Sequence, residues 1–592
     1  MRCNRGANQP RVYIGLAARL VLALVIAAVF LLGWLLRESF LLSVAVVVSV
    51  CLVDPRSRLI SHSARARGVA VIGAPGVGKS RLLGRVLAWG DFLSGIPQLI
   101  CDPIGTTIDN FLHKLITELQ YLPESEQERY RERVRYFDMS GSDGYVLRLP
   151  LYFRLGTERS LREIAVRLPQ LYRKSEPELA TRPIMGAAPL TKIGTYTGIV
   201  LTALGFQITE AKSLLSHPTA WFDRFALAEK RYPAAAEAVR FFREEYCRMR
   251  AAERERLTTA LLDRLFPISL DRRLQAMFGA SQPGIKFDDA SAKQETILLD
   301  ARRVRDPDLR RFLLLWVFTY FFEWVKTQGR RRQPFGLILD ELVAMTSKVI
   351  AGDNPFGQEL AEFIHQYQRN AQIWCSVAFQ SPLQLDSEVR ETVLSLGTLI
   401  LGQAPTKNAA RVLAEHLCFP NPQHIKHERV IQRNPYSIGG VTRVPEPQIE
   451  PVFMPLNEQL ELYVQRMQRL PRYSFLLRPA LSEGEISTEV HRIHIRDIDR
   501  DRETGEYSFP HQGLMERLRA TLAAKHGTPV HVLLAEQEKR LQPTAARPTP
   551  APTTNGKPPL LATEQHAPRP EIPETEAASQ PPPAIRHRRR IS

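Results

Sequence analysis

Cysteine is scarce in this chain: Cys3, Cys51, Cys101, Cys247, Cys375 and Cys418 are the only six in 592 residues, and no two stand at the short spacing of metal ligands. No disulfide framework follows from so few and so scattered thiols. Cys101 and Cys375 lie inside apolar, strand-like runs, the pattern of reduced cysteines in a cytosolic environment. Histidine does not fill the gap, because His416, His424 and His427 cluster near Cys418 at a spacing that matches no firm zinc pattern. Acidic residues are also in deficit, 62 against 79 lysines and arginines, for a formal net charge of +17. Such a balance favours an anionic partner, nucleic acid or the inner surface of a membrane, without choosing between them. Charge is absent from Leu20 to Leu36, and the stretch from Pro543 to Ile585, dominated by proline, alanine and threonine, has too little apolar surface to order itself.

Against these absences stands one strong signature. Gly73-Ala74-Pro75-Gly76-Val77-Gly78-Lys79-Ser80 follows the apolar run Val69-Ala70-Val71-Ile72 and leads into a helix-like pattern from Arg81 to Trp89. This is a Walker A loop in its strand-loop-helix setting. The glycines let backbone N–H groups turn around phosphate oxygens, Lys79 reaches the β- and γ-phosphates, and the Ser80 hydroxyl is placed to ligate Mg²⁺. Gly73 through Ser80, with Arg81, are the candidates for binding ATP.

A second carboxylate-bearing strand completes the chemistry. Leu337-Ile338-Leu339 ends in Asp340-Glu341, where a Walker B pair belongs: Asp340 for the Mg²⁺ shell, together with Ser80, and Glu341 to orient and deprotonate the attacking water. The competing reading of this pair is a helix N-cap. Gln380 ends the next apolar strand, Ile373 to Phe379, with its amide in reach of both γ-phosphate and water; the alternative is a polar strand terminus without a role. Phosphoryl transfer also gains from positive charge supplied by a neighbouring subunit, and Arg369 is the candidate, with Arg302, Arg303 and Arg305 as others. The catalytic set is therefore Lys79, Glu341, Gln380 and Arg369, and the metal set Ser80 and Asp340.

The rest of the chain alternates strand and helix signals, as a parallel sheet covered on both faces does. Gln98 to Cys101, Val134 to Phe137, Thr296 to Leu299 and Thr398 to Leu401 read as further strands, and Tyr473 to Leu477 as an edge strand. Acidic residues close the first three of these at Asp102, Asp138 and Asp300. Leu309 to Val325 is apolar almost all round but has too short an uncharged core to span a bilayer, so it reads as a helix buried against the sheet. Lys79 and Asp340 are more widely separated than a bare P-loop core requires, and the Arg- and Glu-rich stretch between reads as a helical insertion.

Ahead of the loop, Leu20 to Leu36 and Phe40 to Val53 read as a membrane hairpin through residues 13–53, the first run lengthened by Tyr13 to Ala18 and the second marginal in length. Arg2, Arg5 and Arg11 before it and Arg56, Arg58, Arg65 and Arg67 after it place both ends in the cytoplasm. A cleaved signal peptide is the competing reading, and it would export a nucleotide site to where ATP is absent. The fold class is α/β: a RecA-like P-loop NTPase domain with an inserted all-α domain, an N-terminal transmembrane hairpin and a disordered C-terminal tail. The expected divisions are 1–53 hairpin, 54–159 and 278–480 nucleotide-binding domain, 160–277 insertion, 481–540 C-terminal extension, and 541–592 tail ending in the basic run Arg586 to Arg590.

This order of parts resembles the FtsK/HerA superfamily of P-loop DNA pumps, and within it the type IV secretion coupling proteins of the TraD/TraG kind. The resemblance covers about residues 12–480. It implies a homo-hexameric ring under the bacterial inner membrane, with a cytoplasmic ATPase domain that hydrolyses ATP to translocate DNA in conjugation. The DNA would be single-stranded or a relaxase–DNA complex, handed to membrane components of the secretion system. Two features depart from the family: Ile104 stands where Asp-Pro-Lys-Gly commonly has its lysine, and the hairpin lacks a substantial outer loop. The alternative function is a membrane-tethered P-loop ATPase that remodels or recruits protein partners without moving DNA. The basic run Lys326, Arg330, Arg331 and Arg332 reads either as a pore loop that holds phosphates or as a solvated loop.

Overall fold

The apolar runs become strands. In the computed structural model, which describes residues 60–154, 160–175, 187–331, 333–346, 354–417, 419–431, 436–438, 441–443, 448–480, 490–495 and 512–542, the first are β1 (Val69–Ile72), β2 (Gln98–Asp102), β3 (Val134–Asp138) and the short β4 (Tyr145–Val146). They are followed by β5 (Thr296–Asp300), β6 (Phe335–Leu339), β7 (Ile373–Phe379) and β8 (Thr398–Leu401). Beyond these lie β9 (Ile425–Ile431), β10 (Tyr436–Ile438), β11 (Val441–Arg443), β12 (Gln448–Phe453), β13 (Ser474–Arg478), β14 (His491–His494) and β15 (Thr528–Pro529).

Nine strands form one sheet in the order β14-β13-β8-β1-β7-β6-β2-β5-β3. All pairings from β8 across to β3 are parallel, whereas β13 runs antiparallel to both of its neighbours. Every residue of β1, β2, β5, β6, β7 and β8 is buried, which is why these strands read as continuous apolar runs rather than alternating ones. The expectation that Tyr473 to Leu477 makes an edge strand is corrected by β14, which pairs outside β13. His491-Arg492-Ile493-His494 is almost wholly exposed and so carries no apolar signature to announce a strand.

Between β4 and β5 the described chain is helical, from Leu161–Ala165 to Phe287–Ala292, with Ala187–Leu204 and Ala251–Leu270 the longest pieces. Trp221, Phe225, Phe241, Phe242 and Tyr246 fill its interior. Helix α1 (Thr106–Leu119) follows β2, and α2 (Pro307–Thr327) follows β5. α2 starts with Pro307 at its first turn and Asp306 as N-cap, accepting from the Asp308 N–H at 2.9 Å. Its Phe312 to Phe322, Trp324 and Val325 are buried, and Phe321 and Trp324 pack against Phe335 of β6. Among the described residues no helix is long and apolar enough to cross a membrane. The membrane hairpin expected at residues 13–53 and the tail from residue 543 onward lie outside the described residues.

Two C-terminal features have little sequence signal. β9 and β12 form an antiparallel ribbon in which Lys426 to Val430 are all exposed, so no buried face imposes a period on the sequence. Helices α3 (Gln512–His526) and α4 (Val530–Leu541) bury only a few apolar side chains, among them Met515, Leu522, Ala523 and Leu533. Yet they return to the body of the fold. Arg519 of α3 pairs with Asp109 of α1, β15 pairs with β4, and the Gln537 amide donates to the Gln275 carbonyl in the helical insertion at 2.7 Å.

After the glycine loop the chain turns helical at Lys79–Arg81 and continues through a wider π-helical stretch, Leu82–Ala88, all of it buried. Gly84 lets this stretch lie directly against α1: a Cβ there would stand 2.5 Å from the Thr107 carbonyl oxygen and 3.1 Å from the Phe111 nitrogen. Gly84→Val should therefore force the two helices apart at a cost of about 1–3 kcal/mol. A thermal melt of the purified protein should show a lower midpoint; an unchanged midpoint would mean that the contact is slack.

Candidate nucleotide site

The parallel strands all present their C-terminal ends at one edge, where open α/β sheets bind ligands. β1 delivers residues 73–80 to that edge. The loop is pinned from both sides, since Gly73 N–H donates to the Phe379 carbonyl at the end of β7 (3.3 Å) and Ala74 N–H to the Gln403 carbonyl beyond β8 (2.7 Å). Gly76 and Gly78 hold φ of +77° and +105°, conformations that side-chain-bearing residues rarely adopt. Lys79 is buried, and its Nζ donates to the carbonyls of Gly73 (2.7 Å) and Ala74 (3.2 Å). Burial lowers its pKa, against the opposing pull of Glu341 and Asp340.

The sheet order sets β7 between β1 and β6, so the loop, Gln380 and the Asp340-Glu341 pair stand side by side. Ser80 Oγ donates to Asp340 Oδ2 at 2.9 Å, and Thr107 Oγ1, from the first turn of α1, donates to the same oxygen at 2.6 Å. The other oxygen, Oδ1, accepts the Glu341 N–H at 2.9 Å. Gln380 Nε2 donates to Glu341 Oε2 at 3.1 Å. Glu341 is held at φ 48°, ψ 61°, and its side chain does not cap the turn Leu342–Ala344 that follows. Burial raises the Glu341 pKa, with the Gln380 hydrogen bond and Lys79 opposing and Asp340 adding to the rise.

Thr107 is the site residue that sequence reasoning overlooked. It lies past the Asp102-Pro103-Ile104-Gly105 strand end, far in sequence from both residues it joins, and only the packing of α1 against the Walker A helix brings it in. The remaining acidic strand ends are occupied elsewhere. Asp102 accepts the N–H groups of Ile104, Gly105, Thr107 and Ile108 at 2.6–3.1 Å and so caps α1; burial and the Asp340 charge push its pKa up while these amides pull it back. Asp138 binds Ser140, Ser142 and Arg303, and Asp300 binds Arg302 and the Tyr136 hydroxyl.

The arginines are placed differently from the loop and carboxylates. Arg369 is exposed and precedes β7, whereas Gln380 follows it, so a seven-residue strand of about 23 Å separates Arg369 from the site within one chain. Arg302 is engaged with Asp109, Asp300 and the Gly105 carbonyl, Arg303 with Asp138 and Asp143, and Arg305 is exposed in the same loop. In the basic run before β6, Lys326 pairs with Glu362, and Arg331 reaches Ser291 and lies over the Trp324 ring at 4.7 Å. Ile104 is exposed beside Gly105, whose positive φ and close contact with the Arg302 guanidinium leave no room for a side chain.

The donor set suits a hard divalent cation: a hydroxyl and a carboxylate oxygen, Ser80 and Asp340, meet next to the glycine loop. Ser80, Asp340 and Thr107 can hold Mg²⁺ and its waters, Lys79 and the loop can hold phosphate oxygens, and Glu341 with Gln380 can hold a water beside them.

No family model and no curated protein matches the chain. Among solved structures it is similar to the bacterial conjugative coupling protein TrwBdeltaN70, at 15% identity and a TM-score of 0.44 over 74% of this chain and 87% of that one. It is also similar to the plasmid coupling protein TrwB in complex with ADP and Mg²⁺, at 17% identity and a TM-score of 0.41 over 73% of this chain and 86% of that one. A third similarity is to VirB4 of Thermoanaerobacter pseudethanolicus, at 13% identity and a TM-score of 0.41 over 72% and 88%.

Because the folded chain resists ionising Glu341, this group's contribution to stability is full at low pH and is lost as pH rises through its elevated pKa. Glu341→Gln removes that loss. The variant should melt above the wild type at alkaline pH, with the gap closing as pH falls into the ordinary carboxylate range. A gap independent of pH would contradict this account.

Proposed function

We propose that this chain is a membrane-anchored ATPase that moves DNA, or a DNA–protein complex, as coupling proteins do in conjugative, type IV secretion-like transfer. The observation that carries the nucleotide part is the meeting of Ser80 and Asp340 at 2.9 Å, with Glu341 and Gln380 joined at 3.1 Å alongside. The DNA part is supported by the formal charge of +17 and by the order of sequence motifs described above.

In this reading Lys79 leaves the carbonyls of Gly73 and Ala74 for the β- and γ-phosphate oxygens, and the loop amides of residues 73–81 cradle the remainder. Ser80 and Asp340 would hold Mg²⁺, which when bound would supply positive charge against the phosphates. Thr107 fixes the rotamer of Asp340. Glu341 takes the proton of the attacking water, and an elevated pKa makes it a better base than an exposed carboxylate. Gln380 orients Glu341 and the water. Arg369 acts between copies: in a homo-hexameric ring its exposed position ahead of β7 is available to a neighbour's phosphates, where it would stabilise transition-state charge. Residues 54–159 and 278–480 form the motor, 160–277 contact cargo, and residues 13–53 hold the machine at the bacterial inner membrane, beside secretion-system components, with the motor cytoplasmic.

The test is ATP turnover by full-length protein with and without single-stranded DNA at low salt. DNA should stimulate the wild type, Lys79→Ala should lose nucleotide binding, and Glu341→Gln should bind ATP while hydrolysing it about 10²-fold more slowly or worse. If DNA neither binds nor changes turnover while hydrolysis persists, the remodelling of protein partners replaces DNA movement as the function.

A further inference from the structure

The phosphate loop has a second neighbour that the hydrolysis chemistry does not use. Tyr473, immediately before β13, packs its ring on Gly78 so closely that a Cβ there would lie 2.5 Å from Cδ1. Its N–H donates to the Val77 carbonyl at 3.0 Å, and its own carbonyl accepts the Ile495 N–H at 2.8 Å. These two bonds hold Tyr473 at φ 62°, an unfavourable conformation for an aromatic residue. Arg81 and Arg472 both place their guanidinium groups over the ring, 4.4 and 4.8 Å from its centroid. Arg472 is exposed, and its Nε donates to the Gly76 carbonyl at 3.0 Å.

The sheet order gives this cluster a direction. Glu341 and Gln380 stand on the β7/β6 side of the loop, so a triphosphate bound as proposed points its γ-phosphate that way. Its ribose and base then leave the loop on the other side, where β8 and β13 follow β1. Among the described residues, Arg81, Arg472 and Tyr473 adjoin the loop on that side. A guanidinium is planar, weakly hydrated and prone to stack on aromatic faces, and a nucleobase is such a face.

We propose that Arg472, supported by Tyr473 and Arg81, is the platform on which the base of the bound nucleoside triphosphate stacks. The proposal rests on the phosphate-loop reading above. Arg472 is a positioning residue here: it fixes the base, and its own guanidinium is set by the Gly76 carbonyl and the Tyr473 ring. A stack on a guanidinium reads the π-face of a base rather than its edge, so it contributes affinity without demanding one purine.

Equilibrium binding of ATP and of inorganic tripolyphosphate to the full-length protein separates the two readings. Arg472→Ala should weaken ATP by about tenfold, the scale of one lost stacking partner, and leave tripolyphosphate unchanged. Arg472→Lys, which keeps the charge and loses the plane, should behave like the alanine variant. An unchanged ATP affinity, an equal loss for ATP and tripolyphosphate, or full rescue by lysine would overturn the base platform while leaving the phosphate loop intact. Failure of the wild type to bind either ligand would instead remove the phosphate-loop reading and this proposal with it.

Discussion

A single carboxylate oxygen gathers the candidate site. Asp340 Oδ2 accepts hydroxyls from Ser80 and Thr107, 260 and 233 positions away in sequence. Each comes from a different segment, the Walker A helix and α1, and each segment is already fixed on the sheet. Charge-assisted hydrogen bonds of this kind are roughly twice as strong as neutral ones. Their larger effect is geometric, because a buried carboxylate with three donors has little rotamer freedom left. The arrangement depends on the parallel sheet, since only parallel strands bring the tips of β1, β2 and β6 to one edge.

The same first turn of α1 extends the tie outward. Thr107 faces Asp340, while Asp109 accepts from Arg302, beyond β5, and from Arg519 on α3. Asp102 caps this turn with both of its oxygens. One short piece of helix thus connects the candidate-site edge of the sheet, the loop that follows β5, and the C-terminal helices, whose further end reaches the helical insertion through Gln537. A shift of α1 at Thr107 has to be accommodated at Asp109, because a helical turn moves as a unit. This is a physical route, made of hydrogen bonds and one rigid element, from the candidate site to the insertion.

Much of the fold was legible because burial on both faces of a parallel sheet writes itself as uninterrupted apolar runs. Val69 to Ile72, Phe335 to Leu339 and Ile373 to Phe379 are examples, and the glycine spacing after the first of them marked the loop. Ser80 was legible from the glycine-lysine-serine spacing of the loop, and Asp340, Glu341 and Gln380 from their places at strand ends. Thr107 did not, because its role arises from how two helices cross at Gly84, and no local period reports a crossing. Arg472 and Tyr473 were hidden for a related reason: they touch Gly76, Val77 and Gly78 only because β13 returns beside β8 after the exposed ribbon. The ribbon itself has almost no buried face, and in β14 only Ile493 is partly covered, so neither offers an alternation to read.

Among the described residues four non-glycine residues are held at positive φ, and two of them, Glu341 and Tyr473, adjoin the candidate site, one on each side of the glycine loop. Each costs on the order of 1 kcal/mol or more relative to relaxed backbone, so each persists only because its surroundings over-determine it. For Glu341 those surroundings are the Asp340 oxygen that accepts its N–H and the Gln380 amide that holds its carboxylate. For Tyr473 they are the Val77 carbonyl and the Ile495 amide. The charges nearby are strained in the same sense, because burial disfavours the ionised forms of both Lys79 and Glu341, and each partly offsets the other's cost. A polyanion entering between them would take over Lys79 as its partner and leave Glu341 with less opposing charge. The two groups are thus coupled by position alone, a half-buried carboxylate facing a buried ammonium, and the coupling requires no movement of the sheet.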